Sequence, residues 1–182
     1  MIAALLDVPA PFSEPKEGDG NISVTLFDET AFPGWLATQD GETTAQISES
    51  GFTPEPGKFL ALRSEGRVVR ILAGSSAPLR PADASVIAEF ATRLFSKESL
   101  AEKRFALDAP HLSPLEITNF ATGWALASYA FTPYKAPTKT SAILIWPEKA
   151  DRAEVRTFLS GVFLIRNLVN APAADMGPQE ME

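Results

Sequence analysis

Ser141-Ala142-Ile143-Leu144-Ile145-Trp146 is a continuous apolar run of strand length. A strand that faces solvent on one side alternates apolar and polar residues; an unbroken run belongs to a strand covered on both faces. Helical signals flank it. Upstream, Ser113-Pro114-Leu115-Glu116 opens a helix. The Ser side chain accepts from the N–H three residues on, Glu116 reaches back, and Pro114 sits where its missing N–H costs nothing. That helix is expected to bury Ile117, Phe120, Ala121, Trp124, Ala127 and Phe131. Gly123 inside it costs about 1 kcal/mol against Ala, so a closely packed neighbour is expected there. Downstream, Asp151-Arg152-Ala153-Glu154 repeats the capping logic. Val155, Phe158, Leu159, Val162, Phe163 and Val169 then form a wide apolar stripe, the signature of a helix packed on a core.

Working outward toward the N-terminus, Arg104–Leu107 reads as an edge strand and Asp83–Phe95 as a helix with apolar residues at Val86, Ile87, Phe90, Ala91 and Leu94. Lys58–Arg63 and Arg67–Leu72 are β-rich runs across Ser64-Glu65-Gly66, the spacing of a hairpin. A short helix is expected around Trp35, and Ile22–Phe27 alternates as a strand. Residues 9–20 and 53–57, rich in Pro and Gly, read as loops. The order β, short α, β, β, α, β, α, β, α predicts an α/β domain with helices flanking a mixed, largely parallel sheet. There are no internal repeats.

The bulk numbers narrow the function. The 182 residues carry a net charge of −7, with 45% hydrophobic and 21% charged side chains. Lys97, Lys103 and Arg104 are interleaved with Glu98 and Glu102, so no basic stripe is available to neutralise phosphates, which argues against nucleic-acid binding. Cysteine is absent, which removes disulfides, thiolate catalysis and Cys-type zinc sites. The apolar run at residues 1–7 lacks a basic flank, and no stretch approaches the ~18 apolar residues of a membrane span. A cytoplasmic location is the expectation.

Candidate chemistry is sparse. His111 is the only histidine, in Ala109-Pro110-His111-Leu112-Ser113-Pro114, and reads as a loop residue. One His supplies neither a metal set nor a Ser-His-Asp triad. The carboxylate groups Glu14/Glu17/Asp19, Asp28/Glu29 and Glu148/Asp151/Glu154 read as solvated charge or helix caps. Gly74-Ser75-Ser76, between a strand and a helix, is either a plain βα turn or a cradle for a phosphate, as in nucleotide or ADP-ribose binding. Trp124, Tyr129, Phe131 and Tyr134 are either core aromatics or a stacking surface, with core the reading for Trp124 and Phe131. No catalytic, cofactor-binding or metal-ligating residue is assigned.

At the C-terminal end, Ala171-Pro172 stops the preceding helix, and Gly177-Pro178-Gln179-Glu180 opens another that has no room to finish. The expectation is a chain cut from something longer. The same residues, Arg166-x-Leu168-Val169-Asn170-x-Pro172-Ala173-x-Asp175-Met176-x-Pro178, resemble the connector between the two domains of the leucyl aminopeptidase (cytosol aminopeptidase) family. Gly123-x-x-x-x-x-Tyr129-x-Phe131-x-x-Tyr134-Lys135 is similar to a second segment of that family. Asn167 and Ala174 stand where the family usually has Asp and Asn.

The resemblance implies a three-layer α/β/α N-terminal domain related to the macro fold at residues 1–150. It implies a linker helix at 151–170, and a connector with the start of a catalytic domain at 171–182. It implies that the parent is a metallo-aminopeptidase releasing N-terminal residues from peptides. Two divalent ions (zinc, manganese or magnesium) would be held by a Lys and several Asp and Glu of the absent domain. This piece would then pack on that domain and help arrange a hexamer. The alternatives are a free-standing macro-like binding module for a nucleotide or protein partner, and a structural domain whose catalytic half has lost its ligands.

Overall fold

The computed structural model describes residues 11–15, 21–131 and 140–172. Strands β1 (Phe12–Ser13), β2 (Asn21–Phe27), β3 (Phe59–Ser64), β4 (Arg67–Gly74), β5 (Arg104–Asp108) and β6 (Ile143–Ile145) form one sheet. Their order is β1-β6-β5-β2-β4-β3. Every pairing is parallel except β3 with β4. The helices are α1 (Ala31–Leu36), α2 (Gly41–Ser50), α3 (Pro81–Arg93), α4 (Lys97–Ala101), α5 (Pro114–Leu126) and α6 (Arg152–Asn170). The mixed, mostly parallel α/β architecture read from the sequence is the one observed.

The two faces of the sheet are filled unequally. Ile22, Val24, Leu26, Ile71, Ala73 and Phe105 meet Ala84, Ile87 and Ala91 of α3, Phe120 and Trp124 of α5, and Val155, Leu159 and Phe163 of α6 in the main core. On the other face Phe27, Leu62 and Leu72 meet Phe32 of α1 and Ile47 of α2 in a smaller cluster. Parity explains the split, because successive side chains of a strand point to opposite faces: Ile22, Val24 and Leu26 go one way, Phe27 the other.

The β3–β4 hairpin forms as expected. Glu65 and Gly66, at φ 50° and 77°, make the two-residue tip, whose left-handed backbone matches the twist of the strands. The capping box predicted at Ser113 forms in full; at Asp151 only the side-chain half forms, because the Asp151 N–H donates to the Thr118 hydroxyl at 2.9 Å rather than to Glu154. The Ser113 hydroxyl accepts from the Glu116 N–H while the Glu116 carboxylate accepts from Ser113 N at 3.0 Å. Asp151 accepts from the N–H groups of Ala153 and Glu154.

Four expectations need correcting. The stretch 9–20 read as a loop contains the strand β1, paired with β6. Arg104–Leu107 is no edge strand: β5 is paired on both sides, with β2 and β6, and its inward Phe105 is fully buried. The edge on that side is β1, only two residues long. It is held by Phe12 stacked on Trp146 at 3.7 Å and by Glu14 paired with Arg152 at 2.8 Å. The helix expected to bury Phe131 ends at Leu126 with Ala127 as its cap, so Ala127 and Phe131 are half-buried outside it. A helix with no apolar stripe, α2, lies where none was expected.

Candidate inter-domain interface

Helix α6 has two apolar faces, and among the described residues only one is buried. Val155, Leu159, Phe163 and Asn167, four residues apart, form the buried line against the core. Phe158, Ile165, Leu168 and Val169 lie on the adjacent face and are 50%, 63%, 37% and 79% exposed. Gly161, on the same side, has open space around it. Large apolar residues clustered at helical spacing mark an association surface more than scattered ones do. The stripe read from the sequence is therefore split. Val155, Leu159 and Phe163 belong to the core; Phe158 and Val169 belong to the surface.

The end of α6 is tied to the end of α5 through Tyr129. Its hydroxyl donates to Asn167 Oδ1 at 2.9 Å and accepts from Asn170 Nδ2 at 3.1 Å. Its ring tilts against Phe163 at 5.3 Å, and the Arg166 guanidinium lies 5.2 Å above it. Arg166 also donates to the Leu126 carbonyl at 3.2 Å, one of the acceptors that a helix end leaves without an intrahelical partner. The two segments that carry the family resemblance thus meet: Tyr129 comes from one, Arg166, Asn167 and Asn170 from the other. Sequence reading missed this junction. The available signal was Asn167, a polar residue on the same four-residue spacing as three core residues.

The chain leaves α6 through Ala171, extended at ψ 134°, its N–H still bonded to the Asn167 carbonyl at 2.9 Å. Extended geometry is what a following proline requires. Tyr134, Lys135 and the connector beyond Pro172 lie outside the described residues.

The remaining sequence candidates have structural partners. At Gly74-Ser75-Ser76, the Gly74 N–H is spent on the Lys58 carbonyl, and the Ser75 N–H and hydroxyl both point to the Phe27 carbonyl. The Ser76 hydroxyl bonds the Asp83 carboxylate. With those donors used and a carboxylate alongside, the turn is poorly built for an anion. Burial pushes the Asp83 carboxyl up, but hydrogen bonds from Arg80 and Ser76 more than offset this and hold it below its ordinary value.

His111 is exposed in the turn between β5 and α5. Asp28 caps the start of α1 and is held low by the Thr30 hydroxyl, then by the Ala31 N–H. Glu14 pairs with Arg152, whereas Glu17 and Asp19 lie outside the described residues. Among the described residues no three His, Cys, Asp or Glu side chains converge closely enough to hold a metal ion. Nor is any helix among them long and apolar enough to cross a membrane. Trp124 is buried, as expected, and its indole N–H donates to the Ala142 carbonyl at 2.9 Å.

Comparison with known proteins assigns this arrangement. Among solved structures, a cytosol aminopeptidase from Coxiella burnetii superposes with a TM-score of 0.74 at 25% identity, covering 93% of this chain and 35% of its own. A mutant of tomato leucine aminopeptidase shares the fold at 20% identity and a TM-score of 0.57, over 92% of this chain and 39% of its own. This chain therefore spans little more than a third of the length of either. No curated protein matched. The family model described as the M17 aminopeptidase N-terminal domain matches residues 22–147, from the first long strand to just past β6; the chain belongs to the M17 aminopeptidase family and carries its N-terminal domain.

Proposed function

We propose that this chain is the non-catalytic N-terminal domain of a di-metal, leucyl-aminopeptidase-like exopeptidase, serving inter-domain packing and oligomer assembly. The observation that carries the reading is the exposed apolar face of α6, running to the end of that helix at Asn170. A face of that kind at the end of the last described helix is placed to be covered by a domain attached beyond Pro172. By resemblance, the attached domain holds two divalent ions, zinc or manganese, on its own Lys, Asp and Glu. Such ions polarise a scissile carbonyl and activate a water when bound. The described residues do not fit a divalent site, and no catalytic step is assigned to them. A cytoplasmic hexamer is the assembly the resemblance implies.

Two measurements test the reading. The purified 182-residue chain, supplied with manganese or zinc, should not hydrolyse leucine p-nitroanilide; turnover that stays with the protein through purification would place catalysis within it and overturn the proposal. The open reading frame past Glu182 should continue into a region with a Lys and clustered Asp and Glu. A stop codon there would leave the apolar face without its proposed partner.

A further inference from the structure

Tyr129 meets α6 along one ridge. Phe163, Arg166, Asn167 and Asn170 stand at i, i+3, i+4 and i+7, the spacing that stacks side chains along one side of a helix. Within that ridge Asn167 is 8% exposed and continues the line Val155–Leu159–Phe163. A buried amide is costly unless it is hydrogen-bonded. An aliphatic side chain there would pack acceptably over a range of helix rotations, because apolar burial is not directional. The Asn167–Tyr129 bond is satisfied at one rotation and one axial position.

We propose that Tyr129 and Asn167 form a register key: they fix the roll of α6 about its axis, and so the direction in which Phe158, Ile165 and Val169 face and in which the chain departs at Pro172. Buried polar groups set register in this way in coiled coils, at some cost in stability. Arg166 and Asn170 brace the key from either side. Helix α3 supplies the fixed frame, because it is packed backbone to backbone against α5 at Gly123. The use of the key rests on the inter-domain reading above; its existence does not, and can be tested in this chain alone.

The absence of cysteine makes the test clean. Val86 on α3 and Val169 near the end of α6 are 49% and 79% exposed. A Val86→Cys/Val169→Cys protein therefore takes two spin labels and no others. Pulsed dipolar spectroscopy should give one narrow distance distribution. Adding Tyr129→Phe or Asn167→Leu should broaden or shift it, while the urea midpoint of Asn167→Leu stays level or rises. Asn170→Ala, which removes only an exposed partner, should give a smaller change and serves if either of the others folds poorly. An unchanged distribution in the folded variants overturns the proposal. So does a lowered midpoint without broadening, which would make the pair an ordinary stabilising contact. Neither result would bear on whether the apolar face meets a second domain.

Discussion

Gly123 of α5 lies directly against the carbonyl of Pro81 at the start of α3: a Cβ on Gly123 would overlap that oxygen, and its next neighbours would be the Pro81 carbonyl carbon and Ala84 Cβ. Ser85 fastens the same crossing, its hydroxyl lying 2.8 Å from the Gly123 carbonyl and 3.1 Å from that of Pro81. Two effects oppose each other in Gly123→Ala. Helix propensity favours Ala by about 1 kcal/mol. The overlap is with backbone, which no rotamer change relieves, and overpacking of this kind costs ~1–3 kcal/mol. The substitution should therefore lower the urea midpoint, contrary to its effect at an open helix position. A raised midpoint would mean that the helices separate at little cost.

Glu116 makes stability fall in acid. The Ser113 hydroxyl and N–H, and then the Leu79 N–H, hold its carboxyl below the ordinary value. A carboxyl with a depressed folded pKa contributes stability that is present above its unfolded value, about 4.3 for Glu, and is lost as pH falls through the folded value. Glu116→Ala should cost about 1 kcal/mol at pH 7 and much less at pH 3. Equal losses at both pH values in urea titrations would show that the charge is irrelevant.

Trp124→Phe isolates one hydrogen bond. The ring volume is largely kept, but the buried Ala142 carbonyl loses the indole donor it meets at 2.9 Å. An acceptor left without that partner in the interior costs about 1–3 kcal/mol. Because Ala142 leads into β6, hydrogen exchange should rise first at Ile143–Ile145. Exchange unchanged there, with a stable protein, would contradict this.

The outer face of α6 should behave differently from its inner face. Phe158→Ser, Ile165→Ser and Val169→Ser change exposed positions, so each should alter folding stability by no more than about 0.5 kcal/mol. Combined, they should remove binding of an apolar dye and any self-association seen by sedimentation. Phe163→Ser, on the inner face, should unfold the protein. A large loss of stability from the outer substitutions would place them in the core.

How much of the fold is legible in the sequence depends on whether a segment advertises itself locally. Helices α5 and α6 carry both a cap and an apolar stripe, and their starts can be read directly. Helix α2 carries only the cap: Asp40 accepts from Thr43 N at 2.7 Å, and Gly51 closes the helix at φ 64°. Its one buried residue is Ile47, so hydrophobic periodicity has nothing to detect. The position of β5 is misread because strand order is a tertiary property. Arg104 and Asp108 at its ends look like edge residues, yet the strand sits between β6 and β2. At the proposed interface, the stripe on α6 is legible but its division into buried and exposed halves is not, since that depends on where α5 lies.

The central strand β2 waits long for its second neighbour. β2 leaves the ribosome before either of its neighbours, and Thr25 reaches its β5 partner Asp108 only 83 residues later. At ~5–20 residues per second that is roughly 4–17 s during synthesis. For that time Ile22, Val24 and Leu26 have no sheet to join on the β5 side. The nascent chain should therefore be a chaperone client from the appearance of β2 until β5 emerges, with the β3–β4 hairpin, the pairing closest in sequence, able to form in between.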